Sequence, residues 1–571
     1  MKKKTALFSL YTKDGSEIFA QFLIDKGWQI LASGGTGKYL ISKGISYRNV
    51  SDVISEAVVK EIKAAGLLKS NLSIKAAKAK LDNSEIFGHR VVTISRQISA
   101  ALISRDIPED DELLKRLGLP KIDLVYCLFY PIASAIHEEN ATNKLVTEMT
   151  DMGGPLMIRL AAKGKRIAIC DSADLPPVIE QLKKDNDVTS EMLQYLCGKA
   201  ECMVAFDCLN SANYQSGGKF DGFIGEQIAT FKGENAWQSP AGLFKMFCND
   251  DLGIPEFKLI HGAELSYNNW CDVDRQLQTM THIAGAFALN RGVVPPIALG
   301  AKHGNECGAS AIINAAVDLR GNQEEAIKKM VKGNTRAIFG GWVQLNFRLD
   351  KRLATILSTY MMPEGKKRML DGIVAPEITD EAIEILKRKK GRCRFVVHPS
   401  LDTLGKDSLD IAQRFRYVRN GFLTQPNYTF ILNLNDPRIQ KYGQASPEQE
   451  HAILLAWAIG ATTNSNSIII VSGDWQVGIG NNGQDRVGAV LLAQTNAITA
   501  DNEKYLKKSS GYSDSFFPFD DGPKALIKAG VTFIFTSSGS IRDKDTIKVC
   551  QDNGVVLYMI PDEIGRSFFG H

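Results

Sequence analysis

Trp28-Gln29-Ile30-Leu31-Ala32-Ser33-Gly34-Gly35-Thr36 decides the fold of the first third of the chain. An apolar run of strand length stops at a Ser/Gly/Gly/Thr turn, and residues 37–43 then take up helical spacing. Strand, tight turn and helix in that order make the βα unit from which parallel sheets are built. The same turn suits an anion. Amide N–H groups at a helix start point outward, glycine lets a phosphate approach the backbone, and two hydroxyls add donors. A plain tight βα turn is the alternative. The rhythm extends in both directions. Residues 6–10 read as a strand and 15–26 as a helix. Further strands are expected at 90–94, 122–129 and 166–170, the second closed by Tyr130-Pro131. Asp151-Met152-Gly153-Gly154-Pro155 opens a helix over 156–163. A helix over 188–213 leads out of this domain, and Ser216-Gly217-Gly218-Lys219 is the expected linker. Residues 55–87 interrupt the pattern. Lys60, Lys63, Lys69, Lys75, Lys78 and Lys80 alternate there with apolar residues, as a basic amphipathic insertion would.

At 571 residues the chain exceeds one core, and two to four domains are expected. A net charge of +4 gives no reason to invoke nucleic acid, and no apolar run reaches the length of a membrane span. The ten cysteines form no CxxC pair, so neither structural zinc nor a disulfide framework is expected, and a reducing cytoplasm fits. Neither GxGxxG nor GxxxxGKS occurs in the right context, so NAD or ATP use is not supported.

The remainder of the chain is a series of polar turns between apolar strands. One of them is Lys302-His303-Gly304-Asn305-Glu306-Cys307-Gly308. It follows an expected strand over 293–299 and precedes a small-residue run, 309–316, that reads as a helix start. A Lys-His pair sets a permanent cation beside a titratable imidazole. That suits a reaction in which one group moves a proton and the other steadies a developing charge. A solvated loop with an incidental histidine is the alternative reading. Other turns are Leu265-Ser266-Tyr267-Asn268-Asn269, Phe339-Gly340-Gly341, Ser465-Asn466-Ser467 before a strand at 468–471, Ser513 through Phe519, and Ser540-Ile541-Arg542-Asp543.

Read in order, these motifs resemble the bifunctional purine-biosynthesis family that joins AICAR formyltransferase to IMP cyclohydrolase, over nearly the whole chain. The resemblance implies α/β architecture. A methylglyoxal-synthase-like parallel α/β domain over 1–215, carrying the 55–87 insertion, would precede a transferase domain over 216–571 made of two cytidine-deaminase-like α/β subdomains without the deaminase zinc. It implies a cytoplasmic homodimer that acts on purine ribotides. The formyl donor would be 10-formyltetrahydrofolate as co-substrate, with no metal, nucleic acid or membrane partner.

It also implies roles. For transfer, His303 would take the proton of the attacking amine, Lys302 would steady the oxyanion or protonate the departing folate nitrogen, and Asn466 would hydrogen-bond the formyl or carboxamide oxygen. Phe516 and Phe517 would offer apolar surface to a flat ring, with Lys232, Asn334, Arg542 and Arg566 as further substrate contacts. For ring closure, Tyr130, Asp151 and Lys163 stand at the family's catalytic positions. Ser9, Lys13, Ser33, Gly34, Gly35, Thr36, Arg90 and Thr93 would hold the ribotide.

The chain also departs from the pattern. Val92 stands where the family has a catalytic Lys and Ser95 where it has a His, so transfer is implied more firmly than ring closure. Lys232 is displaced by one position, Asn334 replaces an Asp, and Gly483 and Asp485 replace Gln and Ser. Two other readings stay open: the same fold formylating a different amino-heterocycle ribotide, and a non-catalytic paralogue that binds purines or folate.

Overall fold

A computed structural model describes residues 3–66, 93–138, 140–247 and 250–567. The chain folds as two compact units, Met1–Glu226 with Lys245–Phe247, and Gln227–Phe244 with Cys248–His571.

The first unit is built on a five-stranded, wholly parallel sheet. Its order is Arg48–Asn49, Gln29–Ala32, Thr5–Leu10, Leu124–Leu128 and Ile167–Ile169. Successive strand residues alternate between two buried faces, as a sheet covered on both sides requires. Leu7, Leu31, Val125 and Ala168 pack with Val53, Ile98, Met157 and Ile158. Phe8, Ile30, Tyr126 and Ile169 pack with Phe19, Leu23, Leu40 and Leu182 on the other face. The chain moves outward to one edge through its first three strands, then returns to add Leu124–Leu128 beside Thr5–Leu10. The order therefore reverses between these two strands, and ligands of open α/β sheets bind at such a reversal, beyond the strands' C-terminal ends.

The second unit holds a twelve-stranded sheet made of two halves with the same element order. Each half has an antiparallel edge strand, a long central helix, a hairpin and three parallel strands joined by helices. In the first half these are Lys258–His261, Tyr267–Arg291, the hairpin Ile297–Lys302/Asn305–Ala311, then Trp342–Leu345, Gly372–Ala375 and Arg394–Val397. In the second they are Gln440–Tyr442, Pro447–Gly460, the hairpin Ile468–Ser472/Trp475–Gly480, then Ser510–Ser513, Phe533–Ser538 and Val556–Pro561. The halves join through antiparallel pairing of Asn305–Ala311 with Trp475–Gly480. The helix Pro447–Gly460 is buried all round along Ala452–Gly460, as a helix central to a large core should be.

Several expectations change here. The run at 309–316 is not a helix start, because Ala309 to Ala311 complete the hairpin's second strand. Small residues are needed there because the helix Leu319–Gly333 lies directly against the strand. A Cβ on Gly308 would overlap the Met330 carbonyl oxygen, and one on Gly333 would come within 2.7 Å of the Gly308 Cα. Packing overrides a run that reads as helical by composition. The strand expected at 293–299 begins later, at Ile297. Thr93 and Ile94 lie outside any strand, and residues 90–92 lie outside the described residues. The first part of the expected insertion, up to Ala64, is packed into the unit. It is the helix Val50–Ala64, whose Val50, Val53 and Ala57 are core residues, while 67–87 lies outside the described residues.

Gly308→Ala is expected to lower the unfolding free energy by about 1–3 kcal/mol, because the strand and helix must separate to admit a methyl group. Gly198→Ala, in a helix with open space around the position, is expected to be neutral or stabilising. Urea denaturation of the two variants checks both signs.

Candidate functional sites

In the first unit the expected phosphate turn lies at the strand reversal. The helix starts at Gly34, earlier than its spacing indicates, with Ser33 as its N-cap in extended conformation and no side-chain cap on its first amides. Those N–H groups are thus left for a ligand. Ser9 Oγ lies 3.4 Å from Ser33 Oγ. The Lys13 chain runs beside the helix start, its Cε 3.9 Å from where a Gly35 Cβ would be. Thr36 is different: its hydroxyl accepts the Leu10 amide at 2.9 Å and is buried. That hydroxyl ties the helix to the first strand. Tyr11 and Tyr130 follow the two strands that flank the reversal. Their half-exposed rings meet edge-on at 5.3 Å.

Beside Tyr130 lies Asp151, whose carboxylate accepts the Gly154 amide at 2.9 Å and also faces the Tyr130 and Gly153 amides. Burial raises its pKa against the pull of those three donors. Thr93 reaches the same helix start, its Oγ1 2.6 Å from where a Gly153 Cβ would be. Lys163 does not join them. It is the exposed last residue of the helix Gly153–Lys163, about 15 Å along the axis from Gly153. Arg90 lies outside the described residues. One residue unforeseen in the sequence faces Asp151: Asp207, 6% exposed on the helix Ser190–Gln215. Burial first, then the charge of Asp151, pushes its carboxyl up to about 7. Two nearby carboxyls, both raised by burial, are suited to holding and moving a proton.

In the second unit, Lys302 and Asn305 close a two-residue hairpin loop. His303 and Gly304 hold φ of 56° and 69°, the pair of positive values that a type I′ turn requires. The turn is fixed from both sides. Asp272 Oδ1 accepts the Gly304 amide at 2.6 Å, and Lys302 Nζ donates to the Phe339 carbonyl at 2.9 Å. The His303 ring is left exposed. Asn305 pairs through its side chain with Asn481, in the loop after the second hairpin. Asn466 lies in the same region. It exchanges backbone hydrogen bonds with Gly483 at 3.2 Å, and its side-chain amide donates to the Gly483 carbonyl at 2.9 Å. One amide hydrogen of Asn466 remains for a ligand.

Two arginine–phenylalanine pairs lie on the loops that follow the second half's parallel strands. Arg542 stands 5.2 Å over Phe519, and Arg566 stands 5.9 Å over Phe516. Phe517 does not offer a stacking face. It is 1% exposed and packs in the core with Leu526 and Ile534. Asn334 is likewise structural, its Oδ1 accepting the Ala337 amide at 2.9 Å in the turn that leads to Phe339. Lys232 is exposed, and its carbonyl accepts the Tyr267 amide at the start of the helix bearing Asp272. Among the described residues no group of His, Cys, Asp and Glu could hold a metal ion, and no helix is long and apolar enough to cross a membrane.

A parallel α/β unit with an uncapped helix start at its strand reversal thus precedes a doubled α/β unit with a Lys-His hairpin. Residues 161–496, more than half the chain, match the model of the AICARFT/IMPCHase bienzyme, and residues 16–155 match the MGS-like domain. Proteins described as bifunctional purine biosynthesis protein PurH are similar along their length. That of Listeria welshimeri is 30% identical over 576 residues, and that of Caldicellulosiruptor saccharolyticus 29% over 567. Each alignment covers 97% of this chain and 98% of the relative. The crystal structure of ForH aligns with 37% of this chain and 98% of its own, at 21% identity and a TM-score of 0.29. The chain belongs to the AICARFT/IMPCHase bienzyme family.

Asp207 supports a stability test. A carboxyl held near 7 in the fold and near 3.8 when unfolded contributes stability that is complete below about pH 3.8 and lost as pH rises through 7. Asp207→Asn is therefore expected to melt above the wild type at pH 8, with the gap narrowing or reversing at pH 5. Thermal melts at the two pH values read this directly.

Proposed function

We propose that this protein catalyses two consecutive steps of de novo purine synthesis in the cytoplasm: formylation of the AICAR ribotide by 10-formyltetrahydrofolate, then ring closure to IMP. One observation carries the transfer step. The Lys302-His303 turn is held rigidly from both sides yet leaves the imidazole exposed, in a chain of this family. The ribotide's 5-amino nitrogen attacks the formyl carbon, and His303 takes the proton released as the C–N bond forms. Lys302 steadies the negative charge on the formyl oxygen, and the free amide hydrogen of Asn466 meets an oxygen of the substrate. The folate nitrogen then leaves with a proton. Arg542 and Arg566, backed by Phe519 and Phe516, supply cations for the substrates' anionic groups.

In ring closure the carboxamide nitrogen attacks the formyl carbon and water is lost. The uncapped helix start at Gly34, with Ser9, Ser33 and Lys13, holds the phosphate. Asp151 accepts the amide proton, and Asp207 or the Tyr130 hydroxyl supplies one to the departing oxygen. Transfer without ring closure is the second reading, favoured by the position of Lys163 at the far end of its helix from Asp151. A homodimer is part of the proposal. The ribbon Gln413–Val418/Gly421–Pro426 exposes Phe415, Tyr417 and Phe422 on one face, an apolar surface that a second copy would cover.

His303→Ala is expected to slow formyl transfer about 10²–10⁴-fold while ribotide affinity changes little. Purified protein given AICAR ribotide and 10-formyltetrahydrofolate, with folate followed by absorbance and IMP by chromatography, tests both steps. A near wild-type rate in the variant removes His303 from the chemistry. Accumulation of the formylated ribotide by the wild type selects transfer alone.

A further inference from the structure

Beneath the Lys302-His303 turn lies a carboxyl that the transfer step does not use. Glu306 is the second residue of the strand after the turn and is 2% exposed. Its Oε1 accepts the Thr279 hydroxyl, and that hydroxyl lies 2.7 Å from the hydroxyl of Thr462. Its Oε2 is shielded from water and has no hydrogen-bond partner among the described residues. Arg275, one turn before Thr279 on the same helix, donates to the Thr462 carbonyl and, at 3.3 Å, to Asn464 Oδ1. Asn464 also accepts the Asn482 amide at 3.1 Å and stands two residues before Asn466. Glu306, Thr279, Arg275 and Thr462 thus join three elements: the hairpin bearing Lys302 and His303, the helix Tyr267–Arg291, and the loop bearing Asn466.

An ionised carboxylate with one oxygen unsatisfied is costly in such a place, and a neutral acid costs much less. Burial pushes the carboxyl up to about 7, against the Thr279 hydroxyl and the charge of Arg275. The charged or titratable groups that face it are Arg275 and Asp272 on the helix and Cys307 on its own strand. The strand Trp475–Gly480 presents only the uncharged Gln476, whose amide donates to the Glu306 carbonyl at 3.4 Å. The strand Ile297–Lys302 places Ala301 opposite. Gln476 Oε1 is buried and also without a partner among the described residues.

We propose that Glu306 is a positioning residue for the transfer site, holding the Lys302-His303 turn and the Asn466 loop in register through Arg275 and Thr279. The proposal rests on the reading of that turn as the transfer site. Neutral Glu306 leaves Arg275 bonded to Thr462 and Asn464. Ionised Glu306 competes for the guanidinium and loosens that hold. The expected signature is a rate component that falls as pH rises through neutrality.

The test is the pH dependence of formyl transfer in wild type, Glu306→Gln and Thr279→Val. Glu306→Gln keeps the shape and cannot ionise. Its kcat at pH 8.5 relative to pH 7 is expected to exceed the wild-type ratio about threefold, with KM for the ribotide within about twofold. Thr279→Val removes a hydrogen bond that favours the charged form, so its falling limb should move to higher pH. Infrared difference spectra between pH 6 and pH 8.5, recorded in an Asp207→Asn background to remove that carboxyl's signal, should show a carboxylic acid band that the further substitution Glu306→Gln abolishes. Profiles superimposable on the wild type in both variants, or a band that persists after that substitution, overturn the proposal. An inactive His303→Ala alongside such profiles leaves the base assignment standing, whereas an active His303→Ala refutes that assignment independently.

Discussion

The second unit depends on the seam where Asn305–Ala311 pairs antiparallel with Trp475–Gly480. Without it the molecule would have two six-stranded sheets, each with an exposed hairpin edge. With it the sheet is continuous and the halves run in opposite senses. One border of the sheet therefore collects the first hairpin's turn and the loops that follow the second half's parallel strands. That is how Lys302 and His303 come to share a border with Asn466, Phe516 and Arg542, far apart in sequence. Glycine makes the seam possible. Gly308 on one strand and Gly478 on the other bring helix backbones against the sheet, with the Ala493 carbonyl 2.5 Å from where a Gly478 Cβ would lie. The same close approach of helix to strand occurs in each half.

Both units also bury a carboxyl that titrates near neutrality close to the proposed chemistry, Asp207 in the first and Glu306 in the second. Burial also raises Asp151, but there three backbone amides partly offset it. At Asp207 and Glu306 the loss of water outweighs every other influence, and neither carboxyl receives a comparable set of donors. A buried acid of this kind costs stability at high pH. Each lies on or beside an element that positions proposed substrate contacts, which is where strained electrostatics commonly collect.

Four strands of the first unit's sheet were legible as short apolar runs, two of them ending in the Ser/Gly and Tyr-Pro turns, whereas the edge strand Arg48–Asn49, two polar residues, carries no such signal and Thr93-Ile94 of the expected run at 90–94 lie outside any strand. The Lys-His turn was legible as a polar turn after an apolar run. Contacts between distant segments were not. Residues 309–316 carry the composition of a helix, and only the helix Leu319–Gly333 lying against Gly308 explains the strand. Thr36, Asn334 and Phe517 look like ligand residues by position, yet they tie a helix, cap a turn and fill a core. Hydroxyl, amide and ring serve structure and binding equally well, and direction decides which. Asp207 and Glu306 were invisible for the converse reason: each sits among ordinary helix or strand residues, and the neighbours that raise its pKa come from other elements.

The doubled architecture sharpens the functional argument. The second half repeats the hairpin, with Gly473-Asp474 at the turn that corresponds to His303-Gly304. There the acid pairs with Lys329 at 2.5 Å, and the Asp474 carbonyl accepts the Ala311 amide. A two-residue turn therefore closes the hairpin of each half, with positive φ at both residues in the first and at Gly473 alone in the second, but on opposite borders of the sheet, and only one turn carries a cation beside an imidazole. Fold alone would predict two equivalent sites. The side chains at the turns select one, and the hydrogen bonds to Gly304 and Phe339 show what distinguishes it: the Lys-His turn is anchored through its backbone amide and its lysine, which leaves the imidazole facing outward, whereas Asp474 spends its charge on the protein itself.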